Sequence, residues 1–304
     1  MPLRTDYIPL LQAEMVRVLP TRSTREKNAF AALDVHEQTW RFLNWQSRLV
    51  HPHARQVNRA NGFDSLPAVE ANKSAVQELL ARLARGDDVR THLSQDVECG
   101  YSMHAPGQKG GPDFDLLLSE WGIHHLHLNQ LSVKSGSRLK SKDLLYAILG
   151  RGVVFALAVG PHRAWASTRL IEAAVRSWPN QRLYSPLSIS PGRDWSETER
   201  KRLRAAGVTS TPVADNQAWL SGVTGGISTA LVSNRVFREA GKLVRFLRQA
   251  TEYPEHIEYP LQNHASLNDV AWPKHPIMAI QWLSGPDRYC FGIREMTSGV
   301  AVLI

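Results

Sequence analysis

Leu144-Leu145-Tyr146-Ala147-Ile148-Leu149 and Val153-Val154-Phe155-Ala156-Leu157-Ala158-Val159 are two apolar runs of strand length, separated by Gly150-Arg151-Gly152. Short aliphatic runs joined by a Gly-x-Gly centre predict a β-hairpin, with the glycines supplying the positive φ angles of a tight turn. The second run ends at Gly160-Pro161-His162-Arg163. Upstream of the hairpin lies a basic loop containing Gly and Ser, Lys134 to Lys142. Before that loop, Ile123 to Leu131 alternates as a strand does. Period two places Ile123, His125, His127 and Asn129 on one face, and His124, Leu126 and Leu128 on the other. Asp115 to Glu120 reads as a short helix that Gly122 terminates.

Further out, the first hundred residues read as mainly helical. One helix is expected over Asn28 to Val50, carrying Phe30, Leu33, Phe42, Leu43 and Leu49, and stopped by His51-Pro52-His53. A second is expected over Pro67 to Ala84, started by Asp64 or Ser65 and stopped by Gly86. Gly100 to Pro112 reads as a loop and a boundary. Beyond the hairpin, Ser167 or Thr168 caps a helix that Pro179-Asn180 ends, and Ser196-Glu197-Thr198-Glu199 is a capping box. A helix over Asn234 to Ala250 follows, then a meander over Ile277 to Leu283, Arg288 to Arg294 and Gly299 to Ile304. The expected class is α+β in three regions. These are a helical N-terminal region (1–105), a core around a central antiparallel sheet (106–182), and a mixed region ending in a β-meander (183–304).

The chain has 304 residues, with 43% hydrophobic and 21% charged, the balance of an ordinary globular protein. No apolar run approaches the roughly 20 residues of a membrane span. Met1 to Asp6 lacks the basic-then-apolar layout of a signal peptide. Cys99 and Cys290, far apart, exclude a disulfide scaffold and a cysteine-rich zinc site, and suit a reducing cytoplasm. The net charge of +8 suits a polyanionic partner. Between His124 and Arg163 the bases are Lys134, Arg138, Lys140, Lys142, Arg151 and Arg163, against the single acid Asp143. That excess sits beside the histidines, where a phosphate ligand needs it.

Two histidines two residues apart on one strand face present their imidazoles to one ligand, and imidazole exchanges protons near neutral pH. Cleavage of RNA by its own 2′-hydroxyl needs a base for the 2′ proton, an acid for the leaving 5′ oxygen, and a cation for the charge on phosphorus. His125 and His127 are the candidate acid and base, with His162 as the alternate. Arg163 is the fourth catalytic candidate, the cation for the charge on phosphorus; Lys134, Arg138, Lys140 and Lys142 would bind the substrate phosphate, and the scheme calls for no metal or cofactor. The plain alternative is that these are satisfied histidines of a strand, which fits His124 best because it shares a face with leucines. His-x-His is also a metal-ligand spacing, with His162, His104, Asp113 or Asp115 as a third ligand, but no HExxH or cysteine pair accompanies it. His51-Pro52-His53, flanked by Arg48 and Arg55, reads as a basic helix cap or patch. Gly222-Val223-Thr224-Gly225-Gly226 lacks the GxxxxGK[ST] pattern and reads as a turn before a strand over Ile227 to Val232. Trp40, Trp45, Trp165 and Trp178 read as packing residues.

Asp143-Leu144-Leu145-Tyr146-Ala147-Ile148, followed by Val154 to Val159 and Gly160-Pro161-His162-Arg163, resembles the small sheet of RelE/ParE-like ribonuclease toxins and their histidine-using relatives. The resemblance covers residues 123–163 alone. It implies an endoribonuclease acting on RNA, a toxin or phage-defence effector, with an antitoxin or inhibitor protein as a possible partner. Arg163, Lys140 and Lys142 then match the family's cationic positions. Asp143 stands where the family commonly carries arginine, which weakens phosphate binding there. Residues and resemblance meet on a metal-independent endoribonuclease. The rivals are a non-catalytic nucleic-acid-binding or protein-interaction factor, and a metal-dependent hydrolase.

Overall fold

The computed structural model describes residues 5–94, 97, 99–103, 115–129, 142–189, 193, 195–285 and 288–304, excepting the side chains of Arg163 and Trp165. The chain is mixed α+β. In order its main elements are α1 (Tyr7–Val18), α2 (Thr24–Ala31), α3 (Val35–Arg48), β1 (Gln56–Arg59), α4 (Pro67–Ala71), α5 (Lys73–Arg85), α6 (Leu116–Trp121) and β2 (His124–His127). Then come β3 (Asp143–Leu149), β4 (Val153–Pro161), α7 (Arg169–Ser177), β5 (Tyr184–Pro186), α8 (Glu197–Ala205), β6 (Val213–Ala214) and β7 (Gln217–Ser221). The chain closes with α9 (Asn234–Glu252), α10 (Glu255–Leu267), β8 (Met278–Ser284), β9 (Tyr289–Glu295) and β10 (Ala301–Leu303).

The chain forms two compact units built from non-consecutive segments: Met1–Gln46, Glu98–Pro112 and Arg238–Ile304 in the first, Ser47–Val97 and Asp113–Phe237 in the second. The boundaries expected at 105 and 182 do not coincide with these. One reason is β1, which leaves the N-terminal region to pair in parallel with β4.

In the second unit the sheet order is β1-β4-β3-β2, with β2–β3 and β3–β4 antiparallel. The expected hairpin forms, closed by Gly150 N–H donating to the Val153 carbonyl at 2.8 Å. Its turn corrects the expectation about glycine: neither Gly150 nor Gly152 adopts positive φ. A register shift at Tyr146/Ala147 leaves Leu157 as the extra residue of a bulge. Helices cover both faces of the sheet. On one, Leu126, Leu145, Ala147, Val154 and Ala156 pack with Val76, Leu79, Leu80 and Leu83 of α5. On the other, Ile123, Leu144, Tyr146, Ile148 and Phe155 pack with Leu117 and Trp121 of α6 and with Leu170, Ile171 and Ala174 of α7. Burial on both faces is why β3 reads as an unbroken apolar run rather than an alternating one.

Several helix expectations need correction. The helix expected over 28–50 is two, because the Asp34 carboxylate accepts from the N–H groups of His36 (2.9 Å) and Glu37 (3.1 Å) and starts α3 afresh. The helix expected over 67–84 breaks at Asn72, whose amide donates to the Ala68 carbonyl (2.9 Å) and the Asp143 carboxylate (3.0 Å). Gly86 does end α5, at φ 80°. The strand expected over 227–232 does not form; a single bridge, Ile227 to Ser233, stands there. The capping box at Ser196 and Glu199 is present as expected.

In the first unit, β8, β9 and β10 make the expected antiparallel meander. Phe42 of α3 sits among Trp45, Trp282 and Phe291, with ring centroids 5.4, 6.1 and 5.0 Å away. The Glu14 carboxylate of α1 accepts from Trp282 N–H on β8 at 2.6 Å. Trp40 and Trp45 are buried packing residues. Among the described residues, no helix is long and apolar enough to cross a membrane.

Candidate functional site

β2 is an edge strand, and its register against β3 sets the histidines: His124 faces Ala147, His125 faces Tyr146, and His127 faces Leu144. The Asp143–Pro161 pairing brings the end of β4 to the same end of the sheet, so the 3-10 turn that begins at His162 lies beside β2. The His162 ring stands 5.5 Å from the His125 ring, tilted by 65°, and 6.2 Å from that of His127. Three imidazoles from two segments therefore share one place, on the face that alternation assigns to His125 and His127. Their placement spans a half-buried strand face and an exposed turn.

Asp115 stands behind His125. Its carboxylate lies 3.4 Å from His125 Nδ1, with the two side chains only 12% and 13% exposed. The pair is within ion-pair range but is not aligned as a hydrogen bond, and His125 Nδ1 has no hydrogen-bond partner. Asp115 also accepts from Leu118 N–H at 3.1 Å, capping α6. Its backbone is left-handed, at φ 41°, a region where Asp is among the few non-glycine residues tolerated. One carboxylate thus starts a helix and faces a histidine.

Tyr146, opposite His125 and fully buried, donates its hydroxyl to the Pro161 carbonyl at 2.8 Å, immediately before His162. Burial first, and then the charges of Asp115 and Asp143, raise its pKa far above the ordinary value, so it remains a neutral donor. Behind the other histidine, buried His92 engages the His127 carbonyl through Nδ1 at 2.6 Å. Burial lowers the pKa of His92. These contacts fix the backbone on either side of the three rings.

Other expected residues fall elsewhere. His124 points to the opposite face, where burial lowers its pKa to about 4 despite a bond to the Ser47 carbonyl at 3.3 Å. It is neutral at neutral pH and belongs to packing. Lys142 is exposed directly before β3, at the His162 end of the sheet. Lys134, Arg138, Lys140, His104 and Asp113 lie outside the described residues, as does the side chain of Arg163. Among the described residues, no three His, Cys, Asp or Glu side chains are grouped to hold a metal ion. His51 and His53 meet through their Nδ1 atoms at 3.2 Å, and Arg55 donates to both their carbonyls, at 2.8 and 3.1 Å. This is a structural knot. In the Gly222–Gly226 turn, the N–H groups of Gly225 and Gly226 are taken by Ser221 and Thr224, which leaves no phosphate cradle there.

Asp115 and Tyr146 are what a reading of the residues underrates. Asp115 was visible only as a possible metal ligand at a helix start, and Tyr146 only as one residue of an apolar run. Comparison with protein-family models, curated proteins and solved structures finds no match to this chain.

Proposed function

We propose that this chain is a metal-independent endoribonuclease acting in the cytoplasm, a toxin or phage-defence effector of the kind that the RelE/ParE resemblance implies. The observation that carries the reading is the meeting of His125, His127 and His162, with Asp115 behind His125. In this reading His125 takes the 2′ proton through Nε2, because Nδ1 faces the carboxylate. Asp115 orients the ring and stabilises the imidazolium that forms, as the carboxylate of a catalytic triad does. The 2′ oxygen then attacks phosphorus, the bond to the 5′ oxygen breaks, and His127 or His162 protonates that oxygen. Arg163, Lys142, Lys140, Lys134 and Arg138 would hold the phosphate.

The test is cleavage of RNA by the purified protein in EDTA. His125→Ala and His127→Ala should each reduce cleavage by about 10²–10⁴-fold, the usual share of one acid or base. Asp115→Asn, which keeps the helix cap, should give a smaller loss. An uncut substrate with the unaltered protein, or full cleavage by both alanine variants, would overturn the proposal. RNA bound without turnover would favour the non-catalytic binding reading instead.

A further inference from the structure

The exposed face of α9 carries a row of bases that plays no part in the histidine site. Ala240, Val244, Leu247 and Ala250 of this helix are buried. Turned away from them are Arg238, Lys242 and Arg245, which at 3.6 residues per turn fall within a sector of about 60°. Arg248 borders the row, and Arg238 to Arg248 spans about 15 Å along the axis. All four are exposed, and every exposed residue from Arg238 to Gln249 is polar or charged.

Charge balance separates this face from an ordinary solvated one. Exposed helices are commonly laced by acid–base pairs three or four residues apart. Here Glu239 is the only acid between Arg238 and Gln249, and it pairs with Lys242 at 3.1 Å. Among the described residues, no carboxylate stands within ion-pair distance of Arg238, Arg245 or Arg248. A membrane-surface helix places large apolar side chains beside its basic ones, and this face exposes none between Arg238 and Gln249. A row of guanidinium and ammonium groups one helical turn apart suits a chain of phosphates.

We infer that the α9 face is a docking surface for an RNA strand, held through its phosphates without reading its bases. The choice of RNA over other nucleic acids rests on the proposed function; the attraction of this face for phosphates does not. The probe is a 2′-O-methyl RNA, which has no free 2′-hydroxyl and so reports binding whether or not the protein cuts. Binding is followed by fluorescence anisotropy across a salt series. The variant combines Arg238→Gln, Lys242→Gln and Arg245→Gln, all exposed. The control combines Arg25→Gln, Lys27→Gln and Lys274→Gln, which removes the same charge elsewhere.

Loss of three phosphate contacts should lower the salt slope by about 2 and weaken binding by about 50-fold at physiological salt, from a slope near 0.7 per contact on single strands. The control variant should bind like the unaltered protein. Equal RNA affinity in the α9 variant, an equal loss in the control, or α9-dependent binding of anionic vesicles or polyglutamate in place of RNA would each overturn the inference. A protein that fails to cut RNA yet loses binding through α9 sinks the nuclease proposal and supports this one. A protein that cuts RNA but binds unchanged after the α9 substitutions does the reverse.

Discussion

Breaking the buried Glu120–Arg204 pair should destabilise the second unit more than any change at the exposed ion pairs. Glu120, on α6, and Arg204, on α8, are 1% and 0% exposed and directly bonded. The same carboxylate accepts from Ser210 N–H at 2.5 Å and from the Ser210 hydroxyl at 2.9 Å. The guanidinium lies 4.0 Å over the Trp121 ring. Burial pushes the Arg204 pKa down, against the opposite pull of Glu120. Glu120→Gln takes the bonded carboxylate from a buried cation, and Arg204→Met takes the bonded cation from a buried carboxylate, so each should cost about 3–5 kcal/mol. The double variant Glu120→Leu/Arg204→Met strands neither charge. It still leaves Ser210 N–H without its acceptor, worth about 1–3 kcal/mol, and should therefore lose far less than the two single losses combined. Urea unfolding, with amide exchange followed at α6 and α8, measures all three. Single variants within about 0.5 kcal/mol of the parent, or losses that simply add, would refute the reasoning.

Three further outcomes are expected. Burial raises the Glu295 carboxyl, but N–H donors from Ser298, Ile277 and Thr297 outweigh it and hold its pKa at about 2. Its stabilisation is therefore complete above its ordinary value of 4.5 and lost as pH falls toward 2; Glu295→Gln should flatten that acid limb in unfolding midpoints measured against pH. His124, lowered by burial from 6.5 to about 4, acts in the same direction over a higher window. Because the unfolded chain binds the proton first, stability should fall as pH drops from 6.5 to 4, by up to about 3 kcal/mol for this group, and His124→Leu should reduce that slope, leaving the share of buried His92, which acts in the same direction. At Gly86 an added Cβ would stand 2.4 Å from the Ala54 nitrogen, at a φ of 80°. An unstrained glycine-to-alanine exchange stabilises by up to about 1 kcal/mol, whereas Gly86→Ala should destabilise by more than that amount, read from thermal unfolding. A neutral Gly86→Ala would show that α5 ends differently.

Where local pattern and tertiary pairing agree, the fold was legible in the residues. The hairpin, the meander and the Ser196 capping box each carry their own short-range signal. Period two on β2 separated His125 and His127 from His124, and the rings of the first two do meet His162. β1 was not legible, because Gln56-Val57-Asn58-Arg59 is short and polar and becomes a strand only by lying against β4. The breaks at Asp34 and Asn72 were hidden inside apolar periodicity that continues across them. In each case a side chain bonded to backbone decides the break, and helical spacing carries no trace of it. Asp115 was legible as a third ligand beside the histidines but not as a carboxylate facing His125 from a helix cap, where its backbone is left-handed.

The interleaving of the two units has a consequence for the order in which the protein can be completed. The second unit is whole once residue 237 has been made, whereas the first needs segments from both ends of the chain. During synthesis, β1 waits without its partner until Val153 to Ala156 emerge. The helices α1 and α3 wait longer still for β8 and β9, the strands they pack against. A nascent chain arrested late should therefore carry a finished sheet with its histidines in place and an unfinished set of N-terminal helices. A chaperone would find its binding sites on those helices rather than on the sheet.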